Sequence, residues 1–324
     1  MKKYILDLTV RSVERVHERY VLIKLTQQDA FPPMNPGQFV EVRVDGSAST
    51  FLRRPISINF VDKEKNELWL LVATVGEGTK TLAKMKPGDK LNCVLPLGNG
   101  FTIPCDRIVG HRMLLAGGGV GVAPLLYLGK LLKEQGVDIT FLLGARSAKD
   151  LLMLSEFEKY GRVLVTTEDG SMGEKGFVTN HSVLQKESFD MIQVCGPTPM
   201  MKAVARYARE KDIECEVSLE NLMACGLGAC LCCVEKVRVD GDASTTVTES
   251  VGDASTTVTK SVGDASTTVT KSDGDASTTV TKSDGDASTT VTKSDGDAST
   301  TEATNVCVCK DGPVFNIKRL LWQD

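Results

Sequence analysis

The sequence predicts an α+β multidomain chain in three parts: an N-terminal antiparallel β-barrel, a central Rossmann-like α/β domain, and a C-terminal cysteine domain interrupted by a low-complexity repeat. Three observations predict it. Short strand patterns broken by Gly and Pro fill the first third. Strands alternating with amphipathic helices fill the second. Then come four cysteines within nine positions and an 11-residue unit repeated in tandem.

Residues 1–104 carry the strand patterns YILDLTVRSVERV, YVLIKLT, GQFVEVRV, LWLLVATV and KLNCVLPL, separated by Pro32, Pro33, Pro36, Gly37, Pro87 and Gly88. Strands at this spacing with turn residues in the breaks predict a barrel with little helix. From 105 to 214 the pattern changes. RMLLAGG, DITFLLGA, RVLVTTED and DMIQVCGP read as apolar strands, and APLLYLGKLLKEQG, LLMLSEFEKYG and TPMMKAVARYAREKD as helices, which predicts parallel βαβ units with both sheet faces covered. Pro124 falls in the first turn of its helix. Thr198 is placed as the N-cap of another helix, with Pro199 at its first helical position.

Residues 215–324 hold the cysteine region and the repeat. Cys225, Cys230 and Cys233 are spaced C-x4-C-x2-C, which suits a 2Fe-2S cluster that still needs a fourth thiolate. Zinc also takes four cysteines, but its sites use paired C-x2-4-C knuckles. From Gly241 to Thr301 the unit GDASTTVTKSD and its variants recur, without Leu, Ile, Phe, Tyr or Trp. Such a segment cannot build a core and is expected to be a flexible tether, spanning about 45 Å as a coil. The rival is a β-structured stack, because TTVT is β-branched throughout. Beyond it, NVCVCKDGPVF supplies Cys307 and Cys309. Without the 61 repeat residues, 14 of the 75 residues between Cys233 and Cys309 remain, the length of a hairpin connection. Lengthening that loop adds roughly 1.5 kcal/mol of closure entropy, which metal-thiolate bonding tolerates. A ligand distant in sequence is therefore expected to be near in space.

Charge is nearly balanced, 38 basic against 42 acidic residues, and aromatics are 5%. With no Lys/Arg block, neither nucleic acid nor an anionic membrane is an expected partner. Asp7 interrupts the apolar run of MKKYILDLTV before it reaches signal-peptide length, so the chain is expected in the cytoplasm. There, ten cysteines mean metal ligands or isolated thiols before disulfides.

A cluster beside a nucleotide-type domain calls for a flavin between one-electron and two-electron carriers. LRRPISI (52–58) has the R-P-x-S form in which Arg54 pairs with a flavin nucleotide's pyrophosphate and Ser57 reaches the ring's polar edge. VGEGTKTLAKM (75–85) is a glycine turn opening a short helix, suited to phosphate. AGGGVGVAPLLYL (116–128), with Gly119 and Gly121, permits close approach to a dinucleotide. VCGPTPMM (194–201) brings Cys195 and Gly196. Cys195 is either a nicotinamide contact or a small buried strand-end residue. No Ser/His/Asp set or catalytic carboxylate pair stands out, and hydride transfer between cofactors needs none, so no catalytic residue is assigned.

Together, RRPIS, GEGT, LPLGNGF, AGGGVGVAP, VCGPTPMM, SLENLMACGLGAC and CKDGPVF resemble the ferredoxin-NAD(P) reductase superfamily, and more closely the electron transfer subunits of bacterial class B dihydroorotate dehydrogenase. The resemblance covers nearly everything except 241–301. It implies an FAD domain (1–104), an NAD domain (105–214) and a 2Fe-2S domain (215–324). Arg54, Pro55, Ile56, Ser57, Leu71, Val72, Ala73, Gly78 and Thr79 are implied to hold FAD. Cys225, Cys230, Cys233 and Cys309 are implied to hold the cluster, Cys309 rather than Cys307 because the family's last ligand precedes a K/E-D-G-P-V-F stretch. The implied partner is an FMN-containing catalytic subunit, in a heterotetramer with two of each chain. That subunit oxidises dihydroorotate, and electrons pass through 2Fe-2S and FAD to NAD+ in pyrimidine biosynthesis. The nearest rival is the reductase subunit of a glutamate-synthase-like or sulfide dehydrogenase complex, where an Asp typically stands at the place of Cys225. Arg146 in GARS leaves a 2'-phosphate, hence NADP, open. A second rival is a non-enzymatic repeat-bearing scaffold.

Overall fold

The structure is a computed structural model, and it describes residues 2–104, 109–239, 257–262, 265–270, 278–284, 287–293 and 303–322. The chain divides into two compact units, Met1–Cys233 with Cys307–Ile317, and Val234–Val306 with Lys318–Gln323.

The first unit begins with strands β1 (Tyr4–His17), β2 (Tyr20–Thr26), β3 (Phe39–Val42), β4 (Arg54–Asp62) and β5 (Glu67–Ala73), helix α1 (Glu77–Leu82) and strand β6 (Lys90–Leu97). These strands close into a barrel in the order β1-β2-β5-β4-β3-β6. Its interior is filled by Leu8, Ile23, Leu25, Val40, Val42, Ile58, Leu68, Leu70 and Leu91, all essentially inaccessible. The β4–β5 hairpin turns on local chemistry. Asp62 Oδ1 accepts from the amides of Glu64 and Lys65 at 3.1 and 3.0 Å, and Asn66 sits in the left-handed region that Asn tolerates.

The α/β region runs β7 (Arg112–Gly118), α2 (Ala123–Glu134), β8 (Asp138–Ala145), α3 (Leu154–Phe157), β9 (Arg162–Thr167), β10 (Glu174–Lys175), α4 (Val183–Lys186), β11 (Met191–Cys195), α5 (Thr198–Glu210) and β12 (Glu214–Ser218). These strands are parallel in the order β10-β9-β8-β7-β11-β12. The first strand of the region, β7, has β8 on one side and β11 on the other, so the winding reverses there. At such a switch point the carboxyl ends of the strands leave a crevice for a ligand. Helix α2 packs on the barrel: Tyr127 lies against Phe60, with ring centroids 6.0 Å apart, and Asn59 Nδ2 donates to the Ala123 carbonyl at 2.9 Å.

Two helix details differ from expectation. The helix expected over 151–161 is found only at 154–157; it starts no earlier because Met153, its N-cap, takes a left-handed conformation (φ +56°) that no regular helix passes through. The helix expected to be capped by Thr198 starts at Thr198 and is capped by Pro197.

In the second unit, β13 (Val234–Arg238) and β18 (Ala303–Cys307) form a two-stranded sheet. Much of the repeat, for which a tether was expected, lies outside the described residues. Where it is described, it holds paired strands. Strands β14 (Thr257–Val262) and β15 (Ala265–Thr270) pair antiparallel, as do β16 (Thr278–Asp284) and β17 (Ala287–Lys293). The strands of each pair are separated in sequence by one Gly-Asp dipeptide, the composition that two-residue connections favour.

The chain then re-enters the first unit through α6 (Val308–Asp311) and β19 (Val314–Asn316), which adds antiparallel to β12, with Val314 opposite Ser218. The last strand of the seven-stranded sheet thus comes from beyond the repeat.

Glu216 on β12 fixes the link between barrel and sheet. It is 8% exposed, and its carboxylate accepts from the Thr102 amide (2.9 Å), the Thr102 hydroxyl (2.5 Å) and Gln193 Nε2 (2.9 Å). Glu216→Ala strands these buried donors, so it is expected to lower stability by about 2–4 kcal/mol, read as a lower urea midpoint, while Glu216→Gln loses about half as much. Equal midpoints for wild type and Glu216→Ala would contradict the assignment.

Candidate functional site

The barrel brings RRPIS and GEGT together. Strand β4 pairs with β3 so that Arg54, Pro55, Ile56 and Ser57 face Val42, Glu41, Val40 and Phe39. A Cβ built on Gly78 would stand 2.9 Å from Thr50 Cγ2 and 3.3 Å from Arg54 Nε, so the guanidinium of Arg54 lies directly over this glycine. The Thr79 hydroxyl closes the preceding turn, donating to the Gly76 carbonyl at 3.1 Å and accepting from the Gly76 amide at 3.2 Å. Ser49, in the loop before β4, donates to the Glu77 carboxylate. The neighbouring Arg53 is committed to the barrel. Its Nη1 donates to the carbonyls of Glu41 (3.2 Å) and Asn92 (3.1 Å). Of the two arginines, Arg54 is the one presented beside a small-residue cradle, which fits a dinucleotide pyrophosphate. Leu71 and Val72 are buried on opposite faces of β5 at 2% and 1% exposure, so they offer a ligand backbone rather than side chain, and Ala73 follows at the strand end.

The second pair of motifs meets at the switch point. Cys195 is opposite Gly117 in the β7–β11 register. A Cβ on Gly121 would lie 2.5 Å from Gly196 Cα and 2.6 Å from the Cys195 carbonyl oxygen, and one on Gly118 would lie 2.6 Å from Met200 Sδ. Gly119 takes φ +57° with open space around it. The two glycine loops touch backbone to backbone and line the crevice with amides, a surface that admits a dinucleotide. Cys195 is 9% exposed, and burial pushes its thiol up to about 12, against a hydrogen bond from Ser218, so it is a neutral packed side chain. Arg146 is exposed after β8, and next to it the Ser147 hydroxyl donates to Asp150 Oδ2 at 2.6 Å.

The cysteine loop follows β12, and its thiols come in two pairs. Cys225 is hydrogen-bonded with Cys230. Burial pushes the Cys225 thiol up, but the amides of Leu227, Cys230 and Ala229 and the Cys230 side chain outweigh burial and bring it down to about 6. The Leu227 amide reaches Cys225 Sγ at 3.3 Å. Cys233 and Cys309, each 2% exposed, form the other pair: the Cys309 amide donates to Cys233 Sγ at 3.4 Å, and the Gly228 amide donates to Cys309 Sγ at 3.1 Å. The chain returns from the repeat to the place where it left, because the Val308 amide donates to the Cys233 carbonyl at 3.0 Å. Cys307 points its thiol at the Gly228 carbonyl, 3.8 Å away, and Cys232 is exposed. Among the described residues, no three His, Cys, Asp or Glu side chains converge as around a single metal ion. Two thiol pairs with amides aimed at the sulfurs fit a two-iron cluster, which takes two cysteines on each iron.

LPLGNGF and CKDGPVF also meet. Asn99 Nδ2 donates to the carbonyls of Lys310 and Asp311 (3.3 and 3.1 Å), and Gly98 packs on Gly312 and Pro313. Sequence reasoning missed Glu41, Thr50 and Met200, which press on the glycines of the motifs. Glu41 sits in an ordinary alternating strand pattern, and nothing local announces that its face is covered.

The family pattern of the oxidoreductase NAD-binding domain matches residues 115–206. The chain is 44% identical over 199 residues to a dihydroorotate dehydrogenase B (NAD(+)) electron transfer subunit of Shouchella clausii, covering 61% of this chain and 76% of that one. It is 45% identical over 206 residues to the same-named subunit of Caldanaerobacter subterraneus, covering 64% and 78%. Among solved structures, an NADH-dependent reduced ferredoxin-NADP oxidoreductase, described for flavin-based electron bifurcation, is similar with a TM-score of 0.68 and 27% identity, over 98% of this chain and 90% of that one. A cytochrome P450 reductase of Amycolatopsis is similar with a TM-score of 0.57 and 25% identity, over 64% and 66%.

Proposed function

The chain belongs to the family of dihydroorotate dehydrogenase B electron transfer subunits, and from that premise we propose that it carries electrons from a separate FMN-containing, dihydroorotate-oxidising subunit to NAD+. When bound, FAD exchanges a hydride with the nicotinamide and single electrons with a 2Fe-2S cluster.

The chain's own residues hold and orient these groups. Arg54 and the Gly78–Thr79 turn take the flavin dinucleotide's phosphates, with the backbone of Ile56–Ser57 and Leu71–Ala73 along its ring. The amides around Gly119, Gly121 and Gly196 take the NAD pyrophosphate. Cys225 with Cys230, and Cys233 with Cys309, take one iron each. The domains follow as 1–104 for FAD, 105–214 for NAD and 215–324 for the cluster. The proposed assembly is a cytoplasmic heterotetramer with two catalytic subunits. Among the described residues, no helix is long and apolar enough to cross a membrane.

The observation that carries this reading is the two-and-two pairing of the four thiols, one of them delivered from beyond the repeat. It is tested by anaerobic NADH addition to the purified chain, with flavin and iron content measured first. The expected outcome is flavin bleaching, about two irons per chain and the paramagnetic signal of a reduced 2Fe-2S cluster. Flavin without iron would remove the relay, and a strong NADPH preference would favour the rival reductase reading.

A further inference from the structure

Glu41 is a buried acid with nothing to bind. It is 1% exposed, and among the described residues neither carboxyl oxygen has a hydrogen-bond partner. Isolating a carboxyl in this way costs several kcal/mol if it is charged, so such a group in a native fold calls for a reason. Its cationic neighbours on β4, Arg53 and Arg54, oppose the penalty without removing it, and burial leaves the acid at about 7.

The place it occupies supplies the reason. Its side chain presses on Gly226 of the cysteine loop, where an added Cβ would stand 2.6 Å from Glu41 Cγ and 2.8 Å from Oε1. Gly226 is in the left-handed region at φ +66°, and so is Gly228 at φ +85°. Gly228 has the side-chain stem of a base, Lys310, on its flank: an added Cβ there would stand 2.9 Å from Lys310 Cδ and 3.1 Å from Lys310 Cβ. One loop therefore has an acid against one glycine and a base against the other, with Leu227 between.

We propose that Glu41 and Lys310 are positioning residues that set, in opposite directions, the reduction potential of the group held by Cys225, Cys230, Cys233 and Cys309. This rests on the assignment of those cysteines made above. Each reduction adds one negative charge to the site. A carboxylate packed on the loop disfavours that charge, and an ammonium on the other flank favours it. Glu41 is buried and Lys310 exposed, so solvent screens the lysine more and its effect is the smaller.

The test is a potentiometric titration of the purified holo chain, monitored by the EPR signal of the reduced cluster, at pH ~8.5, above the value of about 7 to which burial raises Glu41, so that its carboxyl is ionised. Glu41→Gln is expected to make one-electron reduction about tenfold more favourable, a rise of about 59 mV, and Lys310→Gln about two- to threefold less favourable. Lys310→Glu extends the fall, which keeps the inference testable should Glu41→Gln fail to load iron. Potentials that stay put with two irons retained overturn it. So do potentials that move the same way in Glu41→Gln and Lys310→Gln, because that marks a loosened loop. Wild type without iron refutes the cysteine assignment itself, a different failure recognised before any potential is measured.

Discussion

Cys309→Ser empties the cluster site, and Cys307→Ser leaves it filled: purified Cys309→Ser is expected to contain less than about a tenth of the wild-type iron while Cys307→Ser keeps its full content. The two thiols are two residues apart and both buried, so exposure does not separate them. Their partners do. Cys309 shares the Cys233 sulfur through its own amide and receives the Gly228 amide, whereas Cys307 directs its thiol to a carbonyl oxygen. A thiolate gains from amides aimed at it and loses from a facing carbonyl. FAD content and the NADH-driven bleaching of flavin should be unchanged in both variants, since Arg54, Gly78 and the switch-point glycines lie elsewhere in the unit. Iron retained by Cys309→Ser would put the fourth ligand somewhere else.

Gly121→Ala carries the second large effect, on NADH. The new methyl would be placed 2.5 Å from Gly196 Cα and 2.6 Å from both the Gly196 nitrogen and the Cys195 carbonyl oxygen, all backbone, with no flexible side chain to yield. The loop after β7 and the loop after β11 must separate. Overpacking of this kind costs about 1–3 kcal/mol, and because these loops are the proposed NAD cradle the cost appears as a roughly 10- to 100-fold lower kcat/KM for NADH. Flavin content and reduction by dithionite should be spared. Gly110→Ala is the control: it lies outside the proposed cradle with open space around it, so it bears only the strain of its positive φ, about 1–2 kcal/mol. If Gly121→Ala reduces its flavin with NADH within twofold of wild type, these loops do not grip the coenzyme.

The fold was legible where period and punctuation agreed. The barrel and the parallel strands came from short apolar runs set between Gly and Pro, and the cofactor motifs came from glycines and arginines whose spacing matches phosphate chemistry. What escaped was set by distant neighbours. Met153 set a later start for the helix expected over 151–161, through a backbone conformation that its own side chain disfavours. β19 is three residues long, and its membership of the sheet is decided by β12, far upstream. Glu41 alternates like any strand residue, and only the cysteine loop laid over it turns a surface acid into a buried one. The repeat, for which a tether was expected, holds in its described parts strands whose partners are copies of themselves.

That last sheet strand also orders events in time. Ribosomes add roughly 5–20 residues per second, so Val314 emerges on the order of 5–20 s after Ser218, its partner in the register. Through most of that interval the nascent chain has the β12 edge unpaired and three of its four thiols made. An open strand edge is a template for other chains, so each additional copy of the unit lengthens the window in which a chaperone, rather than the protein's own carboxyl end, must cover it.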